Sequence, residues 1–204
     1  MKIGIIGTGN IGGTIGHLLQ ASGHDIRYGS RNPAPAGSLL PVAEAVLFAD
    51  VVIFAGPFGI LPAFAADHAE SLTGKVVINA ANPIADRDGA VAATLVSSGK
   101  GSARFVAGLM PQSEVVQSFN TVYWVDLRDQ AGRPGERLAM PIAGDSARGT
   151  AVASRLAVDA GFDPVIVGGL DRSVDLDPGS AIYAKSLTAA AVRQALGLSI
   201  GHAS

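Results

Sequence analysis

The sequence predicts an α/β protein with a doubly wound, mostly parallel sheet and a small C-terminal strand-helix extension. Three observations carry this expectation. Short apolar runs alternate with amphipathic stretches along most of the chain, and a glycine-rich turn joins the first run to the first helix. The composition, 48% hydrophobic and 16% charged with 26 glycines in 204 residues, suits strands buried on both faces.

The elements follow in order. Ile3 to Ile6 is an apolar strand, and Asn10 to Ser22 places Ile11, Ile15, Leu18 and Leu19 on one helical face. Gly23 stops that helix, and Asp25 to Tyr28 forms the second strand. Pro33, Pro35 and Pro41 forbid a long helix next. Leu39 to Val42 is therefore a brief third strand and Ala43 to Phe48 a short helix. "DVVIFAG" is a buried strand ending at Gly56-Pro57, Ile60 to Leu72 a helix, and "KVVINAANP" a further strand. Asp86 to Gly101 is expected to be a glycine-containing loop or short helix. Ser102 to Met110 is a helix with Ser102 as its N-cap, and Val115 to Phe119 a strand.

After Asn120 the pattern loosens, and the polar loop Asp129 to Arg137 is the best candidate boundary. "AMPIAGD", a helix from Ser146 to Ala160 and "DPVIVG" add one more strand-helix-strand unit, and a last helix is expected from Ser180 to Gly197. The whole, residues 1–204, is expected to be one domain, with 129–204 an extension completing it.

Composition also excludes. With no cysteine there are no disulfides, thiolate metal sites or cysteine nucleophiles, so any redox activity needs a bound cofactor. A formal charge of -2 offers no basic stripe for nucleic acid or anionic lipid. The start "MKIGIIGTG" is no signal peptide, and Val46 to Ala66 is too interrupted to span a membrane. A cytoplasmic protein with small-molecule partners is expected, and an apolar C-terminal segment suits a homodimer.

"GTGNIG", Gly7 to Gly12, follows a strand and opens a helix, the context that gives G-x-G-x-x-G its meaning. Gly7 permits the turn, Gly9 lets the backbone approach a pyrophosphate, and Gly12 lets helix pack on strand. The helix N-terminus then offers free N–H groups and partial positive charge to the phosphates. The fold is therefore of Rossmann type and its ligand a dinucleotide. An NAD-binding strand two would end in an acid; this one ends in Gly29-Ser30-Arg31-Asn32. The Arg31 guanidinium, the Ser30 hydroxyl and the Asn32 amide form a cradle suited to a 2′-phosphate, which predicts NADP(H).

"MKIGIIGTGNIG", "GSRNP", "NAANPI", "VVQSFNTVY" and "PIAGD" together resemble the coenzyme F420-dependent NADP oxidoreductase family, whose NADP domain is also similar to that of the STEAP metalloreductases. The likeness runs in order from Met1 to about Gly168. It implies hydride transfer between NADPH and a deazaflavin, a flavin or a similar acceptor. It further implies Thr8, Gly9, Asn10 and Ile11 on the pyrophosphate; Ser30, Arg31 and Asn32 on the 2′-phosphate; Gly56, Pro57 and Phe58 along the path to the nicotinamide; Asn82 and Pro83 beside it; and Asn120 and Thr121 where the acceptor approaches. The segment between Arg31 and Asp50 is shorter than in the deazaflavin enzymes, so the helix after strand two is expected to be missing.

Hydride transfer between two ring systems needs orientation and water exclusion more than an acid-base residue, so no catalytic side chain and no metal ligand is singled out. Tyr123 and Trp124 either flank a planar acceptor or pack between sheet and C-terminal segment. Arg87, at the carboxyl edge of the fifth strand, either meets an acidic acceptor tail or is a solvated loop charge. His17, His24, His68 and His202 read as solvated surface residues, and "DRSVDLDP" as a capped turn before the last helix. Two other functions share the fingerprint: a non-catalytic NADP(H)-binding sensor, and an imine or carbonyl reductase of the pyrroline-carboxylate type. The second is disfavoured because only about forty residues follow Asp163.

Overall fold

The computed structural model describes residues 1–33 and 38–198, and His202 lies outside them. Eight strands form one sheet in the order β3-β2-β1-β4-β5-β6-β7-β8. They are β1 (Lys2–Ile6), β2 (Asp25–Ser30), β3 (Leu39–Pro41), β4 (Val51–Phe54), β5 (Val76–Asn79), β6 (Glu114–Gln117), β7 (Ala139–Gly144) and β8 (Asp163–Gly168). All neighbours are parallel except β6 and β7. β7 and β8 extend the same sheet past the polar loop, and a doubly wound Rossmann-type fold results.

Helices cover both faces because successive strand residues point opposite ways. Ile3, Ile5, Val51, Ile53, Val76 and Ile78 pack with Ile15 and Leu19 of α1 (Asn10–Ala21), and with Ala153, Leu156 and Ala157 of α7 (Ala147–Asp159). Ile6, Val52, Phe54 and Val77 pack on the other face. There they meet α2 (Val42–Phe48), α3 (Leu61–Leu72), α4 (Ala85–Ser98) and α5 (Ser102–Leu109). Lys75 closes α2 by donating from Nζ to the Val46 and Ala49 carbonyls at 2.6 and 2.8 Å. β2 and β3 are joined by residues 31–38 alone. No helix among the described residues is long and apolar enough to cross a membrane.

Several expectations change. Residues 85–98 are helical, broken only at Gly89 (φ 67°), where the sequence suggested a loop or short helix. Gly101, not Ser102, occupies the N-cap of α5, and Ser102 is spent on Asp177 instead. A short helix α6 (Trp124–Asp129) packs against α1 in the stretch where periodicity faded; it is too short to show a period.

The last helix, α8, is only Ala189–Ala195. The preceding residues are diverted by tertiary pairing: Leu187 O accepts from Ala139 N–H at 2.8 Å, Thr188 bridges Leu138, and Ala184 sits at φ 54°. Non-local hydrogen bonds override helix propensity there. His24 is also not solvated, for its side chain is 8% exposed and its Nε2 lies 3.0 Å from Asp159 Oδ2. The His68 ring packs 5.1 Å from that of Phe64.

Candidate functional site

The strand order reverses between β1 and β4, and the carboxyl ends of β1, β4, β5 and β6 open onto one edge. Ligands of open α/β sheets bind in such a crevice. The turn after β1 builds its donor side. Gly7 has φ +112°, and a Cβ on it would lie 2.7 Å from the Ala55 carbonyl oxygen; one on Gly12 would lie 2.1 Å from Gly7 O. A Cβ on Gly9 would meet nothing within 4 Å. Two glycines are thus demanded by the protein itself, while the third leaves open the backbone face where a pyrophosphate has to approach. No side chain caps α1 and no acid stands in its first turn, so its first N–H groups remain available to an anion.

At the end of β2, Ser30 Oγ accepts the Asn32 N–H at 3.1 Å, which folds the triplet into a tight turn and leaves the hydroxyl proton free to donate. Arg31 is exposed and makes no hydrogen bond or ion pair among the described residues. These features fit an NADP(H) adenosine end.

Further along the edge a cavity of about 200 Å³ is lined by residues from five segments, among them Gly56, Asn82, Arg87, Asn120, Thr121 and Tyr123. Asn120 Nδ2 donates to Asn82 Oδ1 at 2.9 Å and to Leu176 O at 2.8 Å, and Asn82 Nδ2 returns a bond to Asn120 O at 2.9 Å. Beneath them, fully buried Asn79 and Gln117 pair across β5 and β6 through an Nδ2 to Oε1 bond of 2.7 Å, and Asn79 also bonds the Ala81 backbone. Thr121 Oγ1 and Asn120 Oδ1 are buried without a partner among the described residues. Leaving such atoms unpaired costs about 1–3 kcal/mol each, a cost that a ligand can relieve.

Phe119 and Ala184 are the non-glycine residues with positive φ among those described; Ala184 lines this cavity, and Phe119 immediately precedes Asn120, which does. Phe119, at φ 63°, ends β6 two residues earlier than expected and turns Asn120 and Thr121 inward. Ala184 N–H donates to Thr121 O at 2.7 Å. Such strain, about 1–3 kcal/mol per residue, clusters at functional sites.

Arg87 is neither loop nor free. It lies on α4, donates to Asn82 O at 2.8 Å and forks onto Asp88. Burial pushes the Asp88 carboxyl up, but the Arg87 guanidinium with the Ile84 and Gly59 N–H groups overcomes this and holds it below the carboxylate range. Tyr183 closes the cavity from the C-terminal side, its phenol pushed up mainly by burial.

Three anticipated residues sit differently. The Phe58 ring is fully buried against Phe105, so only its backbone can border the path. Pro83 lines a neighbouring cavity of about 550 Å³ rather than the one beside Asn82. Tyr123 is 54% exposed and its ring lies 6.1 Å from that of Trp124, so the pair stands at the cavity rim instead of packing the C-terminal segment. Sequence reasoning missed Tyr183, Ala184 and the Leu176 carbonyl, since nothing local marks residues that reach the site from sixty positions away. The Asn79 and Gln117 pair had a signal: polar residues ending apolar strands at matched register.

Fold and edge together define a Rossmann-type fold with a candidate dinucleotide site. Within that class, residues 2–83 match the family model described as NADP oxidoreductase, coenzyme F420-dependent, which bears out the resemblance seen in the motifs. Metalloreductase STEAP3 of Rattus norvegicus is 29% identical over 184 residues, covering 86% of this chain; the chain spans 36% of that relative's length. Hypothetical protein SMa0349 from Sinorhizobium meliloti superposes with a TM-score of 0.78 at 24% identity, covering 92% of this chain and 95% of its own. A protein described as an F420-dependent NADP-reductase from Arthrobacter sp. FB24 gives 0.71 at 22% identity, covering 92% and 99%. At these identities the solved structures bear on the fold alone.

Proposed function

We propose that this chain is an NADP-dependent oxidoreductase that transfers hydride between NADP(H) and a deazaflavin such as coenzyme F420, a flavin or a similar planar acceptor. One observation carries the reading: the Thr121 and Asn120 side-chain oxygens, buried without a partner among the described residues, lie beside the Asn82 and Asn120 interlock at a cavity that also takes in Ile11 of the glycine motif and Gly56. NADPH, when bound, supplies the hydride.

The protein's part is to bind and orient. The Gly7 to Gly12 turn takes the pyrophosphate, and Ser30, Arg31 and Asn32 take the 2′-phosphate. Gly56, Asn82 and the backbone of Pro57 and Phe58 fix the nicotinamide end. Thr121, Tyr123 and Trp124 receive the acceptor ring, Arg87 faces its anionic groups, and Tyr183 with Ala184 excludes water. The STEAP3 relative's name, metalloreductase, adds a metal ion as a further candidate electron sink.

The test is anaerobic oxidation of NADPH against a panel of F420, FMN, FAD, quinones and ferric chelates. Loss of NADPH absorbance with a deazaflavin or flavin, and much slower loss with NADH, is the expected result. Tight NADPH binding with no oxidation by any acceptor would instead make the chain a non-catalytic NADP(H)-binding sensor.

A further inference from the structure

The turn of residues 170–177 is a 3₁₀ helix at Leu170–Leu176 followed by Asp177. It caps α5 from a distance. Gly101 supplies no side chain to the α5 N-terminus, and both oxygens of Asp177 take up that duty: Oδ2 accepts the Ser102 N–H at 2.8 Å and Oδ1 accepts the Ser102 hydroxyl. Ser173 Oγ accepts the Ala103 N–H at 3.2 Å beside them. The fit is tight, for a Cβ on Gly101 would lie 2.1 Å from Ser173 Oγ. The residue before Asp177 is Leu176, whose carbonyl holds Asn120 Nδ2.

We propose that Asp177 is a positioning residue for the acceptor side of the cavity: by anchoring its turn to α5 it fixes the Leu176 carbonyl, which holds Asn120 and through it the Asn82 amide. The role rests on the functional reading given above, but the anchoring itself does not need an acceptor to be observed. Asp177 is 8% exposed. Burial pushes its carboxyl up to about 6, and the Ser102 bonds pull the other way. A protonated carboxyl keeps one good acceptor instead of two, so the anchor is firm above about pH 6 and loosens below it. The charged and titratable groups around it are Arg172 and Asp175, paired on its own turn, Lys100 at the end of α4, and Tyr183 on the following segment.

Trp124, the single tryptophan, lines the cavity and reports on it without turnover. Its fluorescence is expected to change with an inflection near pH 6, and kcat to fall about tenfold from pH 7.5 to pH 5 while the Kd for NADPH stays within twofold. Asp177→Asn, which like the protonated acid offers one acceptor and one donor to Ser102, should hold kcat near the low-pH value at every pH and abolish both inflections. Asp177→Ala should lower kcat about tenfold at every pH. His17→Gln, which replaces an imidazole that shares a cavity with Arg128 of α6, should keep the inflection. An inflection that survives in Asp177→Asn, or an Asp177→Ala protein with unchanged kcat, overturns the proposal. Should Asp177→Ala fold poorly, Asp177→Asn alone decides. A fluorescence inflection that depends on Asp177 in a protein that reduces no acceptor would leave the anchoring intact and sink the functional reading instead.

Discussion

The donor and acceptor sides of the edge are built by opposite means. From β1 to β5 the site is local: a turn shaped by Gly7 and Gly12, an uncapped helix start, and a triplet folded by a bond between neighbours two residues apart. From Asn82 onward it is side chains and distant carbonyls, with Asn120 reaching across 38 residues to Asn82 and 56 to Leu176. The first kind of site tolerates sequence drift away from a few fixed positions, while the second can be re-tailored one amide at a time. A single donor site can thereby serve different acceptors.

Substitutions at the glycines should break the donor side most. Gly12→Val puts its first carbon 2.1 Å from Gly7 O and is expected to prevent normal folding, read as loss of the cooperative thermal transition. The Cβ of Gly9→Val would meet no protein atom within 4 Å, so this variant should fold like the wild type yet bind NADPH at least about a hundredfold more weakly, about 2.8 kcal/mol. A Gly9→Val protein that binds normally would mean that the phosphates lie elsewhere. Arg31→Ala comes next. Losing a charge-assisted contact of about 1.5–3 kcal/mol should weaken NADPH tenfold to a hundredfold and NADH within twofold, by titration calorimetry. Equal losses would remove the 2′-phosphate assignment.

On the acceptor side, Asn120→Ala removes two side-chain hydrogen bonds and should lower kcat about tenfold with the Kd for NADPH nearly unchanged, in stopped-flow traces.

The smallest effect is one of stability with pH. Asp177 has a folded-state pKa above its unfolded value, so the folded protein holds this proton more tightly; that contribution is present below about pH 4 and lost as pH rises through about 6. Ionisation there costs the fold up to about 3 kcal/mol, at about 1.36 kcal/mol per unit. Asp88, Glu114 and Asp159 are held low and act in the opposite sense, stabilising above about pH 4 and ceasing to do so in acid. Urea midpoints between pH 5 and 7 should therefore fall in the wild type relative to Asp177→Asn. Parallel curves would contradict the burial of that charge.

The same division explains what could be foreseen. The strands, α1, the fingerprint and the Ser30 to Asn32 step were legible because each depends on neighbours within a few residues: period, turn glycines, a missing acid. The route of residues 180–188 was not, because the Thr121 carbonyl and β7 impose it from afar. Ser102 looks like an N-cap by type and place, yet Asp177 claims it across 75 residues. Convergence of Asn82, Asn120 and Thr121 was suggested by the family resemblance, and that of Arg87 by its place at the carboxyl edge of the sheet; the bonds that interlock them depend on side-chain directions that no sequence pattern encodes.

Transfer of deuterium from NADPH labelled at the nicotinamide C4 is the most direct test of the central claim, that the edge brings donor and acceptor rings into contact. Incubated anaerobically with enzyme and a deazaflavin, the label is predicted to arrive at the acceptor's ring carbon without exchange with water. Reduction of the acceptor with solvent hydrogen at that carbon, or label that stays in NADPH while the acceptor remains oxidised, would contradict it.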